Sequence, residues 1–417
     1  MNKNVLKNLF ISFSFFIITL FSCTSHSKEV NIIGTWGGNE LKNFLKVCDA
    51  LDIKIKFETT RDIDALITTR ISANNLPDIA VLPNPAKLHD LIKKRKIKSL
   101  DFIDKNNLLK KYSKTWIDLA SYGGKLYGIF YKTTNKSIIW YNPKQFKKNN
   151  WKVPKTWEEL ISLTDKIRKE GKTPWSIGAD IGWPLSDWIE NIFVRTAGPE
   201  KYQDWINHKI PWTDPLVKKS FIEWKKIVGN PKNLYGGIDG TLSSSFQNAA
   251  YVVFRNNPGA YLYFEGDFIS SIVTSELDNI KLGIDINFFP FPPINNQQVN
   301  PVIGGADLIV IFKDNSEVKK LIKYLTTEKA HEIWVKNGGF ISQNKNVSLD
   351  IYPDNISKSL AKMMINTDSF VFDASDMMPP GVGNQGGFWD ACKRFIQNPD
   401  DLENILNDME KLANDNY

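Results

Sequence analysis

Apolar positions in the first hundred residues switch repeatedly between a two-residue and a three-to-four-residue period. Glu29–Trp36 (EVNIIGTW) reads as a strand, and Asn39–Leu51 as a helix with Leu41, Phe44, Leu45 and Cys48 on one face. Ile53–Phe57 is a second strand. Arg61–Asn74 is a second helix, carrying Ile63, Leu66, Ile67 and Ile71, and Pro77–Leu82 a buried strand opened by proline. Such alternation predicts a parallel sheet with right-handed crossovers and ligand at the carboxyl ends of its strands. Those ends lead into Trp36-Gly37-Gly38, Thr60-Arg61-Asp62 and Pro83-Asn84.

The middle of the chain has a different rhythm. Tyr122–Tyr131 reads as a tight turn feeding a strand, and Ile138–Tyr141 as another strand. Helices then dominate from Pro154 to Val228. Thr156-Trp157-Glu158-Glu159 is a capping box opening a helix that runs to Glu170, and Leu185–Arg195, Pro199–Asn207 and Pro215–Val228 follow, with proline at or near their starts. Strand patterns return at Tyr261–Phe264, Asn287–Phe291 and Ala306–Phe312. Helices cover Glu317–Leu325, Glu328–Asn337, Phe388–Gln397 and Asp400–Asn414. No internal repeat or low-complexity linker separates these blocks, so two lobes would have to exchange the chain more than once. A hinged, bilobal α/β protein has this organisation.

At 417 residues the chain is long for a single core. With 42% hydrophobic and 12% aromatic residues, 13 of them Trp, most of it is not intrinsically disordered. One long uncharged apolar run exists, Leu9–Phe21, preceded by Lys3 and Lys7. It is short for a membrane span and suits the core of an export signal. Leu20-Phe21-Ser22-Cys23 resembles a bacterial lipobox, in which case Cys23 is lipidated and becomes the first mature residue. Phe21 stands where smaller residues are commoner, and cleavage after Ser25-His26-Ser27 is the alternative. Both readings place the protein in the periplasm or otherwise outside the cytoplasmic membrane. Met1–Ser22 holds two Lys and no acid, so its loss takes the formal charge from +7 to a mild +5. The run Lys93-Lys94-Arg95-Lys96 lacks interleaved aromatics and reads as a solvated helix end, not a nucleic-acid surface. Of three Cys, Cys48 and Cys392 survive processing; two buried free thiols are preferred to a disulfide.

Enzyme signatures are weak. His331-Glu332-Ile333-Trp334-Val335 lacks the second His of a zincin helix, and neither a nucleophile elbow nor a Walker loop is present. His208 reads as a loop residue before Pro211. Gly381-Val382-Gly383-Asn384-Gln385-Gly386 fits the dinucleotide spacing, but Pro379-Pro380 precedes it where a strand should end. No cofactor or metal is expected. Paired carboxylates for glycoside hydrolysis remain an alternative, although Glu265 and Asp267 are close in sequence to flank a glycosidic bond.

Aromatic and polar residues occur together in several loops: GTWGG at 34–38, GWPLSDW at 182–188, YFEGD at 263–267 and NGGF at 337–340. A sugar presents C–H faces that pack on rings and hydroxyls that require carboxylates, amides and Arg. Trp157, Trp205, Trp224 and Trp334 lie at helical spacing among apolar residues and read as core. Trp36 and Trp183 adjoin Gly or Pro and are the candidate stacking platforms.

Across nearly the whole mature chain the sequence resembles the family-1 extracellular solute-binding proteins of bacterial ABC importers, within the alpha-glucoside-binding subgroup. The resemblance is carried by Thr59–Asp62, Pro77–Ala80, Asp118–Phe130, WPLSDWIENIFVRTAGP at 183–199, Phe288–Pro293, Gly304-Gly305-Ala306-Asp307-Leu308, GGFISQNKNV at 338–347 and Phe372–Asp376. It implies a periplasmic-binding-protein-like fold of type II: two α/β lobes, joined by hinge strands, with the ligand cleft between them. Residues 28–134 with 300–347 would form lobe 1 and 135–299 with 348–417 lobe 2, the crossings falling near Lys132–Ser137, near Val299–Gly304 and after Val347. It also implies a mono- or oligosaccharide ligand, permease subunits with a cytoplasmic ATPase as partners, and a monomer that does no chemistry on its ligand. In such a cleft Trp36 and Trp183 would stack on sugar faces, Arg61, Asp187, Glu265, Asp267, Asp307 and Asp376 would hold hydroxyls, and Gly304-Gly305 would let backbone approach the ligand. A secreted glycosidase and a non-transport surface lipoprotein are the rival functions; a polyol or a sugar phosphate is the rival ligand.

Overall fold

A computed structural model describes residues 29–417 except Arg61, Asn84, residues 295–300 and Asp368. The export-signal run, Cys23 and Arg61 therefore lie outside the described residues.

The larger sheet is built as the early alternation predicts and then departs from it. Val30–Gly34 pairs in parallel with Ile55–Thr59 on one side and Ile79–Leu82 on the other. Two long antiparallel strands complete it. Val302–Ile311 pairs with Ile79–Leu82 and with Gly128–Asn135, and Gly128–Asn135 carries Ile341–Ser342 at the edge. The expected strand at Ala306–Phe312 thus begins four residues earlier, at Val302. The adjacent Gly304 and Gly305 mask strand propensity in the sequence. A Cβ at Gly304 would lie 2.3 Å from the Phe370 ring and 2.8 Å from the Thr134 carbonyl, so close strand packing requires glycine there. Beyond the end of Ile79–Leu82, the first residues of Val302–Ile311 pair instead with Phe370–Phe372.

A second sheet has Ile138–Tyr141 at its centre, antiparallel to Leu262–Phe264 and Asn287–Pro290. Side chains alternate across it: Ile138 and Trp140 enter one hydrophobic core and Ile139 the other. The first core lies around the larger sheet and holds Trp36, Phe44, Tyr131 and Trp334; the second holds Trp157, Trp188, Trp205, Trp224 and Phe388. The helices of the second core follow their sequence signals. The Thr156 hydroxyl caps Trp157–Lys169 by accepting from the Glu159 N–H, and Pro opens Trp183–Ala197, Pro199–Ile206 and Pro215–Val228. Trp157, Trp205, Trp224 and Trp334 are buried as expected, and Cys48 and Cys392 are buried free thiols, one in each core. The glycine-rich 381–386 stretch is a short helix and turn packed on the second core, where a Cβ on Gly383 would meet the Ser375 carbonyl at 2.1 Å.

Two chain crossings between the cores are bonded to each other. Gly128–Asn135 passes through Lys136 and Ser137 into Ile138–Tyr141. There the Lys136 N–H donates to the Ile303 carbonyl (2.9 Å), and the Ser137 hydroxyl accepts from the Ile303 N–H (2.8 Å). The last passage falls at Phe370–Ala374 and not directly after Val347, because Tyr352, Ile356, Leu360 and Ala361 first bury their side chains in the first core. No helix among the described residues is long and apolar enough to cross a membrane.

Candidate binding site

The helix Trp183–Ala197 is buried on all sides from Pro184 to Arg195, yet it carries Asp187, Glu190, Asn191 and Arg195. Their spacing of three to four residues puts them on neighbouring positions of one face. That face meets the crossing. Asn191 donates to the Lys136 carbonyl (2.9 Å) and accepts from the Ser137 hydroxyl (2.7 Å). Glu190 accepts from the N–H groups of Ala374 (2.7 Å) and Ser375 (3.2 Å) and from the Tyr202 hydroxyl (2.9 Å), fixing the 373–376 turn. In that turn Asp373 caps the short helix Ala374–Met377 by accepting from the Asp376 N–H.

Lys136 lies at the centre of this arrangement. Its ammonium pairs with Asp373, stands 3.3 Å from Asp187 Oδ1 and lies 5.0 Å from the centroid of the Trp183 ring. Burial alone would lower its pKa, but Asp187, Asp373 and Asp376 outweigh that and hold it well above the ordinary lysine range. Asp373 is the counter-ion: burial pushes its carboxyl up, and the Lys136 charge brings it below its usual value. The other carboxyls are pushed the opposite way. Burial raises Asp187 strongly, against the pull of Lys136 and with Asp373 adding to the rise; Asp376 is raised for the same reasons. Burial brings Glu265 up to about 8, although it accepts the Gly266 N–H. Asp187 Oδ2 and Glu265 Oε1 are buried without a hydrogen-bond partner. A carboxyl held near neutrality both donates and accepts, which is what a sugar hydroxyl offers in return.

A second network surrounds Lys132, four residues back, on the strand Gly128–Asn135. Lys132 Nζ bonds Glu40 (2.6 Å), the Trp36 indole N–H donates to Asp307 (2.7 Å), and the Asn135 N–H donates to Asp267 (2.9 Å). Burial raises Asp267 to about 7, partly offset by Lys132. Asp187, Glu190 and Asp373 lie close enough to share one metal ion. The Lys136 ammonium already pairs with two of them and Glu190 is committed to backbone N–H groups, so the arrangement is a salt-linked network.

The expected site residues are therefore distributed unequally. Trp183, Asp187, Glu265 and Asp376 gather around Lys136, and Asp267 and Asp307 around Lys132. Trp183 is half-buried and meets Phe246 and Phe268 edge-on. Trp36 is not an open platform. It is 1% exposed and packed among Phe44, Phe57, Tyr131 and Trp334, and its part in the network is the N–H bond to Asp307. Gly305 faces Lys136, whose Cε would lie 3.6 Å from a Cβ there. Asp187 sits inside its helix, in the second turn, and does not cap it. His208 is a loop residue with positive φ, bonded to Glu410 at 3.1 Å. Sequence reasoning missed Lys136, Asp373, Glu190 and Lys132. The available signals were two lysines in an otherwise strand-like run and acids one turn apart on a helix too apolar to be at the surface.

Two α/β lobes joined by crossing strands, with a buried charged network at the junction, define a cleft-type binding protein. The chain belongs to the bacterial extracellular solute-binding protein family, which it matches over residues 40–332. It is 32% identical to the osmoprotective compounds-binding protein GgtB of Synechocystis sp. over 92% of each chain. To the alpha-glucosides-binding periplasmic protein AglE of Rhizobium meliloti it is 33% identical, over 88% of this chain and 83% of that one. Among solved structures, the bacterial solute receptor AcbH, described as having an exclusive preference for b-D-galactopyranose, superposes with a TM-score of 0.79 at 19% identity, covering 93% of this chain and 97% of that one. The protein is a solute-binding receptor of the ABC-importer type, with the bilobal fold of that class.

Proposed function

We propose that the protein captures a neutral mono- or oligosaccharide between its lobes, beside Lys136, and delivers it unchanged to a membrane permease driven by a cytoplasmic ATPase. The observation that carries this reading is the pair of buried, unpartnered carboxyl oxygens of Asp187 and Glu265 in one charged network with Lys136, next to the half-buried Trp183 ring. Buried polar atoms without partners are rare and costly, and a polyhydroxylated ligand supplies the missing bonds. Trp183 packs on the sugar, Asp187, Glu265 and Asp376 hold its hydroxyls, and Gly305 keeps the strand clear beside Lys136. Asp267 and Asp307 shape the wall around Lys132. The alpha-glucosides and osmoprotective compounds bound by the two relatives support this class. Ligand bound to both lobes favours their closed arrangement and so controls docking to the permease. We further propose that the protein works as an extracytoplasmic monomer, released by signal cleavage or anchored through Cys23. Cys23→Ala then sheds it from the membrane fraction if the anchor is used.

A thermal-shift panel of sugars, polyols and sugar phosphates tests the ligand class, since a ligand of the folded state raises Tm by mass action. A shift by an alpha-glucoside or related sugar, with no release of free sugar on incubation, is expected. Silence across the sugars overturns the carbohydrate reading, and catalytic turnover would instead identify a glycosidase.

A further inference from the structure

On the crossing, between Arg195 and the helix Asn355–Asn366, lies a cavity of about 470 Å³. Ser137, Pro301 and Val302 of the crossing segments are among the residues that line it. Its polar lining is basic and hydroxylic: Arg195 from the buried helix, Ser359 and Lys362 one turn apart on Asn355–Asn366, and Thr367 beyond that helix. Arg195 is 1% exposed. Its guanidinium bonds only neutral oxygens, the side-chain and backbone oxygens of Asn191 and the Pro301 carbonyl (2.8 Å), and rests 4.8 Å from the centroid of Phe291. Nε has no partner. Among the described residues no carboxylate forms an ion pair with it. Burial alone, with no acid offsetting it, lowers it to about 9.

A buried guanidinium without a counter-ion is a costly element, because the charge has lost its water and gained no opposite charge. The nearby carboxyls of the helix do not fill that role: Glu190 is committed to Tyr202 and the 374–375 N–H groups, and Asp187 faces Lys136. We infer that this cavity is an anion site, distinct from the carbohydrate site, in which a small oxyanion bonds Arg195 and Lys362 with the Ser359 hydroxyl as a further donor; the Thr367 hydroxyl already donates to the Ser369 carbonyl. The planar guanidinium and the flexible ammonium are complementary ligands for a tetrahedral oxyanion. An ion held there ties the buried helix to Asn355–Asn366 across the chain crossing.

Inorganic phosphate is the probe, titrated into the purified protein at constant ionic strength balanced with sodium chloride, with Tm and calorimetric heat as readouts. A saturable rise in Tm with a single midpoint is expected. Lys362→Glu, on an exposed side chain, moves that midpoint at least tenfold while leaving the carbohydrate affinity within about twofold. Arg195→Lys, which keeps the charge and loses Nε, also weakens phosphate. If that variant does not fold, Lys362→Glu and Ser359→Ala decide alone. A response linear in phosphate, one reproduced by chloride, or one unchanged in Lys362→Glu overturns the site. So does silence of the wild type.

Discussion

Lys132 lies on the strand Gly128–Asn135 and Lys136 just beyond its end, and their surroundings differ in how much hydrogen-bonding capacity they leave unused. Around Lys132, the principal contacts close on one another: lysine to Glu40, Asp307 to the Trp36 indole, Asp267 to the Asn135 N–H. Around Lys136, the ammonium pairs with Asp373 and Asp187, yet Asp187 Oδ2 and Glu265 Oε1 keep unused acceptors beside a half-buried Trp. Lys132 is buried and Lys136 half-buried, and both have pKa values raised because carboxylates outweigh the cost of desolvation. What distinguishes them is whether hydrogen-bonding capacity remains for a ligand. A complete network rigidifies a wall, and an incomplete one is where a ligand gains most.

The sharpest way to break this contrast is to remove each ammonium. Lys136→Met and Lys132→Met should each destabilise the fold by about 3–5 kcal/mol, the usual consequence of leaving a buried ion partner alone. They should diverge in binding. Lys136→Met is expected to weaken carbohydrate binding by at least a hundredfold, and Lys132→Met by less than about fivefold, measured by calorimetry on whichever sugar gives the largest thermal shift. Equal losses would mean that the two clusters form one site.

The two tryptophans test the same contrast. Trp36→Ala removes a ring packed among four others and strips Asp307 of its donor, so a loss of about 3–5 kcal/mol in denaturant unfolding is expected. Trp183→Ala should cost clearly less stability, because its ring is only half-buried, and lower carbohydrate affinity by about tenfold or more. The reverse pattern would move the sugar platform into lobe 1.

Protonation sharpens the comparison further. A carboxyl raised by burial holds its proton in the folded state after the unfolded chain has lost it. Stability therefore falls as pH rises from the unfolded value to the folded one. For Glu265 that window runs from 4.5 to about 8, and for Asp267 from 3.8 to about 7. Asp373, lowered by Lys136, works in the opposite sense, adding stability that is lost as pH falls below its ordinary value. Glu265→Gln should remove its own part of the decline between pH 5 and 8, shared with the other raised carboxyls Asp187 and Asp376, raise Tm at pH 8 and weaken sugar binding. An unchanged slope of Tm against pH would show that Glu265 titrates normally.

Much of this arrangement was legible in the sequence, and the part that was not has an identifiable cause. The helix Trp183–Ala197 announced itself by Pro184 and its apolar density, and Asp187 stood out within it as a candidate. Glu190 was not, because the groups it serves lie 184 and 185 residues away, at Ala374 and Ser375. Lys136 was concealed by its position in a crossing, where a lysine ordinarily faces water. Trp36 misled for a related reason. Flanking glycines suggested an open loop, but only the fold shows that Phe44, Phe57, Tyr131 and Trp334 converge on it. The helix Phe246–Phe254 is rich in aromatic and β-branched residues that serve strands as readily, and its Ser245 cap is its one local mark.

The smallest expected effect comes from the outer edge of the Lys132 cluster. Asn39 Nδ2 donates to the Ser275 hydroxyl at 2.5 Å, joining the start of Gly38–Asp49 to the end of Ile269–Glu276. Asn39 adjoins Glu40, the partner of Lys132, and the Ile269–Glu276 helix begins two residues after Asp267. The bond therefore spans the cluster from outside, in water, where a hydrogen bond contributes about 0.5–1.5 kcal/mol at most. Asn39→Ala should lower stability by no more than about 1 kcal/mol and raise the carbohydrate dissociation rate by about two- to fivefold, read by stopped-flow fluorescence of the protein's own tryptophans. A stability loss well above that would mean that the Lys132 network is not self-sufficient and that its closure depends on this surface contact. An unchanged dissociation rate would mean that the contact is formed equally with and without ligand, and that the lobes close through the Lys136 network alone.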